Sequence, residues 1–137
     1  MISTSSVVTR IQTVLTAAAA TATVSRVLDF DSVLASEVRT SARLWVTISG
    51  EEAAENTLDI GVSQQVSVLF SVIYAAADSG TLDTLRALVR IALLGWVTSD
   101  DATAGPGEFR SGEVADLAGD VIWWRDDYAM TYLARAV

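Results

Sequence analysis

The stretch VSQQVSVLFSVIYAAADSGTLDTLRALVRIALLGW, residues 62–96, decides the fold. Its first half alternates. Val62, Gln64, Val66, Val68, Phe70, Val72 and Tyr74 share one side of an extended chain; Ser63, Gln65, Ser67, Leu69, Ser71, Ile73 and Ala75 share the other. A period of two, rich in β-branched residues, predicts a strand. Asp78-Ser79-Gly80 breaks it. Leu82, Leu85, Leu88, Val89, Ala92 and Leu93 then recur at helical spacing, and Asp83, Arg86 and Arg90 are expected on the opposite, solvent face. Gly95 is placed to stop the helix. The centre of the chain is therefore a long strand, a tight turn and a helix folded back on a sheet.

The strand is long for its domain. Residues 62–76 would span about 50 Å at the usual rise per residue, whereas a compact domain of this size is ~37 Å across. The strand is expected to bend at a bulge or to project as a hairpin. A projecting hairpin has open edges, and a neighbouring subunit is their simplest cover.

Upstream, residues 43–49 alternate, with Leu44, Val46 and Ile48 opposite Trp45 and Thr47, and predict a second strand. The acidic run Gly50-Glu51-Glu52-Ala53-Ala54-Glu55-Asn56 connects it to the long strand, most simply as an antiparallel hairpin. Near the N-terminus, Val7, Ile11, Val14, Leu15 and Ala18 predict a helix over 5–19, with capping hydroxyls between Ser3 and Ser6. A short strand is expected near 23–28, a turn at 29–31 and a short helical piece at 32–38. Downstream, residues 98–107 form a polar loop with little to anchor it, expected to be mobile. Residues 108–118 predict a weak strand with an irregularity at Gly112. Residues 120–126 predict a firm one, on which Trp123 and Trp124 face opposite ways. The end, 127–137, is expected to be extended, with Tyr128, Met130 and Tyr132 on one side. The fold class is α+β: a single domain over 1–137, with one antiparallel-rich, mixed sheet and two main helices packed on one face.

Bulk composition narrows the function. The chain has 137 residues, 51% of them hydrophobic, and a net charge of −8. That is enough for a real core, and it opposes general binding to nucleic acid, which needs clustered positive charge. All nine basic residues are arginines, scattered along the chain, and read as coding bias. No run of apolar residues is long enough to span a membrane. Residues 10–22 loosely imitate a secretory signal, but helical spacing and Thr13 and Thr16 favour a core helix.

Chemistry finds little support. There is no Cys and no His, so disulfides, thiolate metal sites, the commonest general base and a serine triad are all absent. Glu51, Glu52 and Glu55 are too few, on one short loop, to supply the oxygens calcium takes. Asp126 and Asp127 are adjacent on a strand and cannot flank one glycosidic bond. No phosphate-cradling glycine motif occurs. No metal, cofactor or catalytic residue is expected.

The ordered set of signatures is more specific. Leu82-Asp83-Thr84-Leu85-Arg86-Ala87-Leu88-Val89-Arg90 leads to Ala92-Leu93-Leu94-Gly95-Trp96. A polar loop follows, then Phe109-Arg110-Ser111-Gly112-Glu113-Val114-Ala115-Asp116, and finally Val121-Ile122-Trp123-Trp124-Arg125-Asp126-Asp127-Tyr128, with Arg135 near the end. In this order, over roughly residues 45–135, the chain resembles the tail terminator proteins of long-tailed bacteriophages and prophages. Such proteins often carry a proline soon after Leu-Gly-Trp; here Val97-Thr98-Ser99 follows, and Pro106 comes later.

The resemblance implies a homo-oligomeric ring, hexameric in similar proteins, and no enzymatic activity. The ring would cap the head-proximal end of the tail tube in the virion, after assembly in the host cytoplasm. It would stop tube polymerisation and present a surface to the head–tail connector. DNA would pass through its lumen without specific binding. Glu51, Glu52, Glu55, Arg110, Trp124, Arg125 and Tyr128 are the candidate contact residues for a neighbouring subunit or the tube. The alternatives are a head–tail connector or another tail-completion protein and, more distantly, an oligomeric binding protein of cellular origin.

Overall fold

A computed structural model describes residues 1–20, 22–26, 42–55, 62–118 and 121–136. The elements run α1 (Thr4–Ala17), β1 (Thr23–Arg26), β2 (Arg43–Ala53), β3 (Val62–Ala76), α2 (Ser79–Leu93), β4 (Glu108–Ala118) and β5 (Val121–Ala136). One five-stranded sheet has the order β1-β2-β3-β5-β4; β1 is parallel to β2 and the other pairs are antiparallel. This is the expected α+β fold. The turn and helical piece expected over 29–38 lie outside the described residues.

Both helices cover the same face. Val7, Ile11 and Leu15 of α1 and Leu82, Leu85, Val89, Ala92 and Leu93 of α2 join one core. The sheet contributes Leu44, Val46, Val68, Phe70, Val72, Tyr74, Tyr128 and Met130. The helix ends are set locally. Ser3 caps α1 by accepting from the Ser6 amide, and Asp78 caps α2 by accepting from the Thr81 amide and hydroxyl. Arg90 in the last turn of α2 complements the helix dipole. Gly95 adopts the left-handed conformation beyond that helix, with φ of 77°.

The long strand has no bulge against β5 and does not lack cover. All fifteen residues of β3 pair in continuous register with β5, from Val62 opposite Ala136 to Ala76 opposite Ile122. What reads as a short strand and an extended tail is one 16-residue strand, and it supplies the cover expected from a neighbour. On the other side β2 runs past its expected end to Ala53, and the Ala54 amide still donates to the Gln65 carbonyl.

The bulge falls in β2 instead. Ile48 pairs with Phe70 and Gly50 with Leu69, so Ser49 is the extra residue. Simple alternation would place Glu51 beside Ser67. The bulge sets Glu51 opposite Val68 on the helix-bearing side and Glu52 opposite Ser67 on the other. Likewise β4 is irregular between Phe109 and Ser111 and between Val114 and Asp116, at residues 110 and 115 rather than at Gly112.

The loop over 98–107 is tied down by polar contacts rather than apolar ones. The Gly95 amide donates to the Gly107 carbonyl at 2.8 Å, and the Gly107 amide to the Trp96 carbonyl at 2.9 Å. The Gly105 amide donates to the Thr131 carbonyl, and the Leu133 amide to the Thr103 hydroxyl. The expectation of a mobile loop is corrected accordingly. Gly107 is buried so closely that a Cβ would collide with the Leu93 carbonyl oxygen. Gly107→Ala should therefore destabilise by about 1–3 kcal/mol, the usual range for overpacking. Urea unfolding unchanged by the substitution would contradict this packing.

Candidate functional site

Among the described residues, four arginines lie over aromatic rings: Arg10 over Trp96, Arg43 over Trp45, Arg86 over Trp124 and Arg90 over Phe109. Stacking on an aromatic ring is what these four positions share. Arg10 also donates to the Ala92 carbonyl at 3.0 Å, tying α1 to the last turn of α2.

Arg86 does not face solvent as its charge suggests. Its Nε and Nη2 donate to Asp126 Oδ2 and Oδ1, each at 3.0 Å. Trp124 Nε1 donates to the same Oδ1 at 2.8 Å. The Arg86 guanidinium lies 4.4 Å from the Trp124 ring centroid. Asp126 is fully buried, and Arg86 keeps 23% of its side-chain exposure. A fork-to-fork pair of this kind is both strong and geometrically exacting. Gly112 on β4 makes room for it, because a Cβ there would collide with the Asp126 carboxylate and crowd Arg86 Nη2. The pair thus clamps α2 to β5 against the backbone of β4. Beside it, the hydroxyls of Tyr74 and Tyr128 are buried without a hydrogen bond of good geometry. Burial first, then the Asp126 charge, pushes both phenol pKa values up.

The other sheet face carries a second, smaller apolar cluster of Trp45, Ile73, Ala75 and Trp123. The Trp45 and Trp123 rings stack at 5.6 Å. Trp123 and Trp124 do face opposite ways, yet the one on the far face is buried too, at 5% exposure. Next to this cluster, Asp127 accepts from the Ser71 hydroxyl at 2.6 Å and from Arg125 Nε at 2.9 Å.

The candidate contact residues divide. Glu51, Glu52 and Arg110 meet around one open concavity of about 400 Å³ that Ser67, Leu69 and Ala129 help line. Glu55 is exposed just beyond the end of β2. Arg125 is partly exposed and engaged with Asp127. Trp124 is half-buried beneath Arg86, and Tyr128 is wholly buried in the core, edge-on to Phe109 at 5.5 Å. Tyr128 cannot present a surface to a partner, whereas Trp124 keeps part of its surface beside Arg86. Sequence reading did not single out the Arg86–Asp126 clamp. Its signal was present: Arg86 is four residues after Leu82 and three before Val89, within the apolar stripe.

The loop also meets the start of α1. Asp100 accepts from the Ser3 amide at 2.9 Å and from the Ser3 and Ser6 hydroxyls at 3.0 and 2.6 Å. Asp101 accepts from the N-terminal ammonium and from the Thr103 amide and hydroxyl. The Ser6 hydroxyl and then the Ser3 amide hold the Asp100 carboxyl below its ordinary pKa. A depressed folded pKa contributes stability above the unfolded value, about 3.9, that is lost as pH falls through the folded one. Asp100→Ala should therefore lower the melting temperature at neutral pH, and the gap to wild type should close below about pH 4. Melting curves separated by a constant gap throughout would contradict this.

Among the described residues, no helix is long and apolar enough to cross a membrane. Nor is there a cluster of three or more acidic side chains that could hold a metal ion among them. A search of the curated proteins finds no match. Among solved structures, the fold is similar to a chain in the "Virion of native gene transfer agent (GTA) particle". That match has 17% identity and a TM-score of 0.61, and covers 95% of this chain and 93% of that one. A family model described as "Phage tail terminator protein" matches residues 2–136. On that match, which spans nearly the whole chain, the protein belongs to the phage tail terminator family and is a structural protein of the phage tail.

Proposed function

We propose that this protein is the subunit of a closed ring, six copies round, that caps the head-proximal end of the tail tube. The ring stops tube polymerisation and offers the surface on which the head–tail connector docks. The family match over residues 2–136 carries this reading. The role is structural, with no catalytic step. Head-to-tail contacts between identical subunits close into a ring when the rotation per subunit divides a full turn. The net charge of −8 suits a lumen through which DNA slides without being held, since like charges repel. Glu51, Glu52, Glu55, Arg110, Trp124 and Arg125 remain the candidate contact residues; Tyr128, wholly buried, does not.

The same charge opposes bringing subunits together. Free protein should remain partly monomeric at low salt and assemble as salt screens the repulsion or as a tube end acts as template. Labelled protein added to finished tail tubes should mark one end of each tube, as a ring, in electron micrographs. Label spread along the tube wall, or absent from both ends, would overturn the terminator reading and favour a connector.

A further inference from the structure

Three large apolar side chains lie exposed together in sequence where α2 ends: Ile91 at 67%, Leu94 at 53% and Val97 at 53%. Ile91 lies in the last turn of α2, and Leu94 is its C-cap, three residues on. Arg90 stands beside them, exposed, stacked on Phe109 at 4.4 Å and without a salt bridge among the described residues. The end of α2 therefore exposes three apolar side chains beside one arginine, on a chain whose net charge is −8.

A complementary surface occurs on β2. Ile48 is 43% exposed on the helix-bearing side of the sheet. The bulge at Ser49 places Glu51 on that same side. Glu51, Glu52 and Glu55 are exposed and have no salt bridge among the described residues. Among the described residues, β1 pairs with Arg43 to Val46 of β2 and stops short of Ile48 and Glu51.

The two surfaces lie toward opposite edges of the sheet. Ile48 and Glu51 are on β2, on the β1 side. α2 leans the other way: Arg86 is clamped to β5, and Arg90 rests on Phe109 of β4. One copy cannot bring its own two surfaces together, but successive copies can.

We infer that the Ile91–Leu94–Val97 surface with its Arg90 rim docks on the Ile48–Glu51 surface of the next copy of this chain. This rests on the ring reading and names the contact that closes the ring. The contact is heterologous, as a ring demands, and repeats from copy to copy. The apolar centre supplies the burial, and the Arg90-to-glutamate rim sets register and excludes other partners. The acidic subunits then meet through opposite charges even though their net charges repel.

The chain has no cysteine, so cross-linking can be directed to one pair. Ile48→Cys and Leu94→Cys change exposed positions and should leave folding intact. The double variant, assembled on tube ends and treated with a short bismaleimide, should give a ladder of linked copies up to the ring. Either single variant should give no ladder. As a second measure, Arg90→Glu and Glu51→Arg should each raise the concentration needed for assembly by at least ~10-fold, and combining them should recover most of it. Rings that form with wild-type protein but give no ladder, and that ignore both charge reversals, would overturn this contact while leaving the ring reading intact. Absence of wild-type rings would overturn both.

Discussion

Arg86→Ala should destabilise the subunit by about 3–5 kcal/mol, because it leaves the fully buried Asp126 carboxylate without its cation. The size follows from asymmetry. Forming a buried ion pair yields little net stability, since both charges give up water. Removing one partner abandons the other in a medium that cannot solvate it. Trp124 Nε1 would still donate to Asp126, but one neutral donor cannot replace a bidentate cation. Arg86→Lys should recover only part of the loss, because an ammonium lacks the planar fork. Adding Asp126→Asn to Arg86→Ala should recover more than Lys does, since the abandoned charge is then gone. Urea unfolding of the four proteins measures this directly. A loss below about 1 kcal/mol for Arg86→Ala would mean that water reaches Asp126 and that the clamp is dispensable.

Leu85→Ala, one residue earlier, should cost a similar amount for a different reason. Leu85 is 3% exposed and sits in the core beneath α2. Its truncation removes buried methyl groups and leaves a cavity that the sheet below can close only partly. Large-to-small changes of this kind cost about 2–5 kcal/mol. A loss below about 0.5 kcal/mol in denaturant melts would place Leu85 on the wrong face of the helix. The two adjacent substitutions should also be separable by a second change. The Arg86 effect depends on leaving a charge unpaired, so Asp126→Asn should relieve it, whereas Asp126→Asn should not relieve Leu85→Ala.

Much of this fold was legible because its signals are local and periodic. The alternation from Val62 to Ala76 marks β3, and the Leu82–Leu85–Val89 spacing marks α2. Both helices carry one apolar stripe, and placing them on one face follows from that. The rest depends on relations that no short window contains. The bulge at Ser49 exchanges the faces of Glu51 and Glu52, yet nothing in Ile48-Ser49-Gly50 announces it beyond a permissive glycine. The length of β5 is settled by its pairing with β3, not by its own pattern. The loop over 98–107 looked unanchored because its anchors are hydroxyls and carboxylates about a hundred residues apart, as between Ser3 and Asp100.

The candidate site was less legible than the fold. Glu51, Glu52 and Arg110 converge on one concavity although they are far apart in sequence. Tyr128 was misplaced because a tyrosine next to Trp-Arg-Asp reads as an interface aromatic, whereas strand parity puts it with Phe70 in the core. The same parity puts Asp126 there, and a carboxylate at a core position called for a cation on the facing helix. Arg86 was the cation at the matching position.

The central claim, that a ring of this protein ends the tail tube, is tested most directly by tube length. Tube subunits polymerised alone should give a broad distribution of lengths. Wild-type protein added during polymerisation should halt growth, so that tubes shorten as its proportion rises, and Arg125→Glu should weaken this halt more than it weakens folding. Tubes that grow equally long with and without the wild-type protein would contradict the claim.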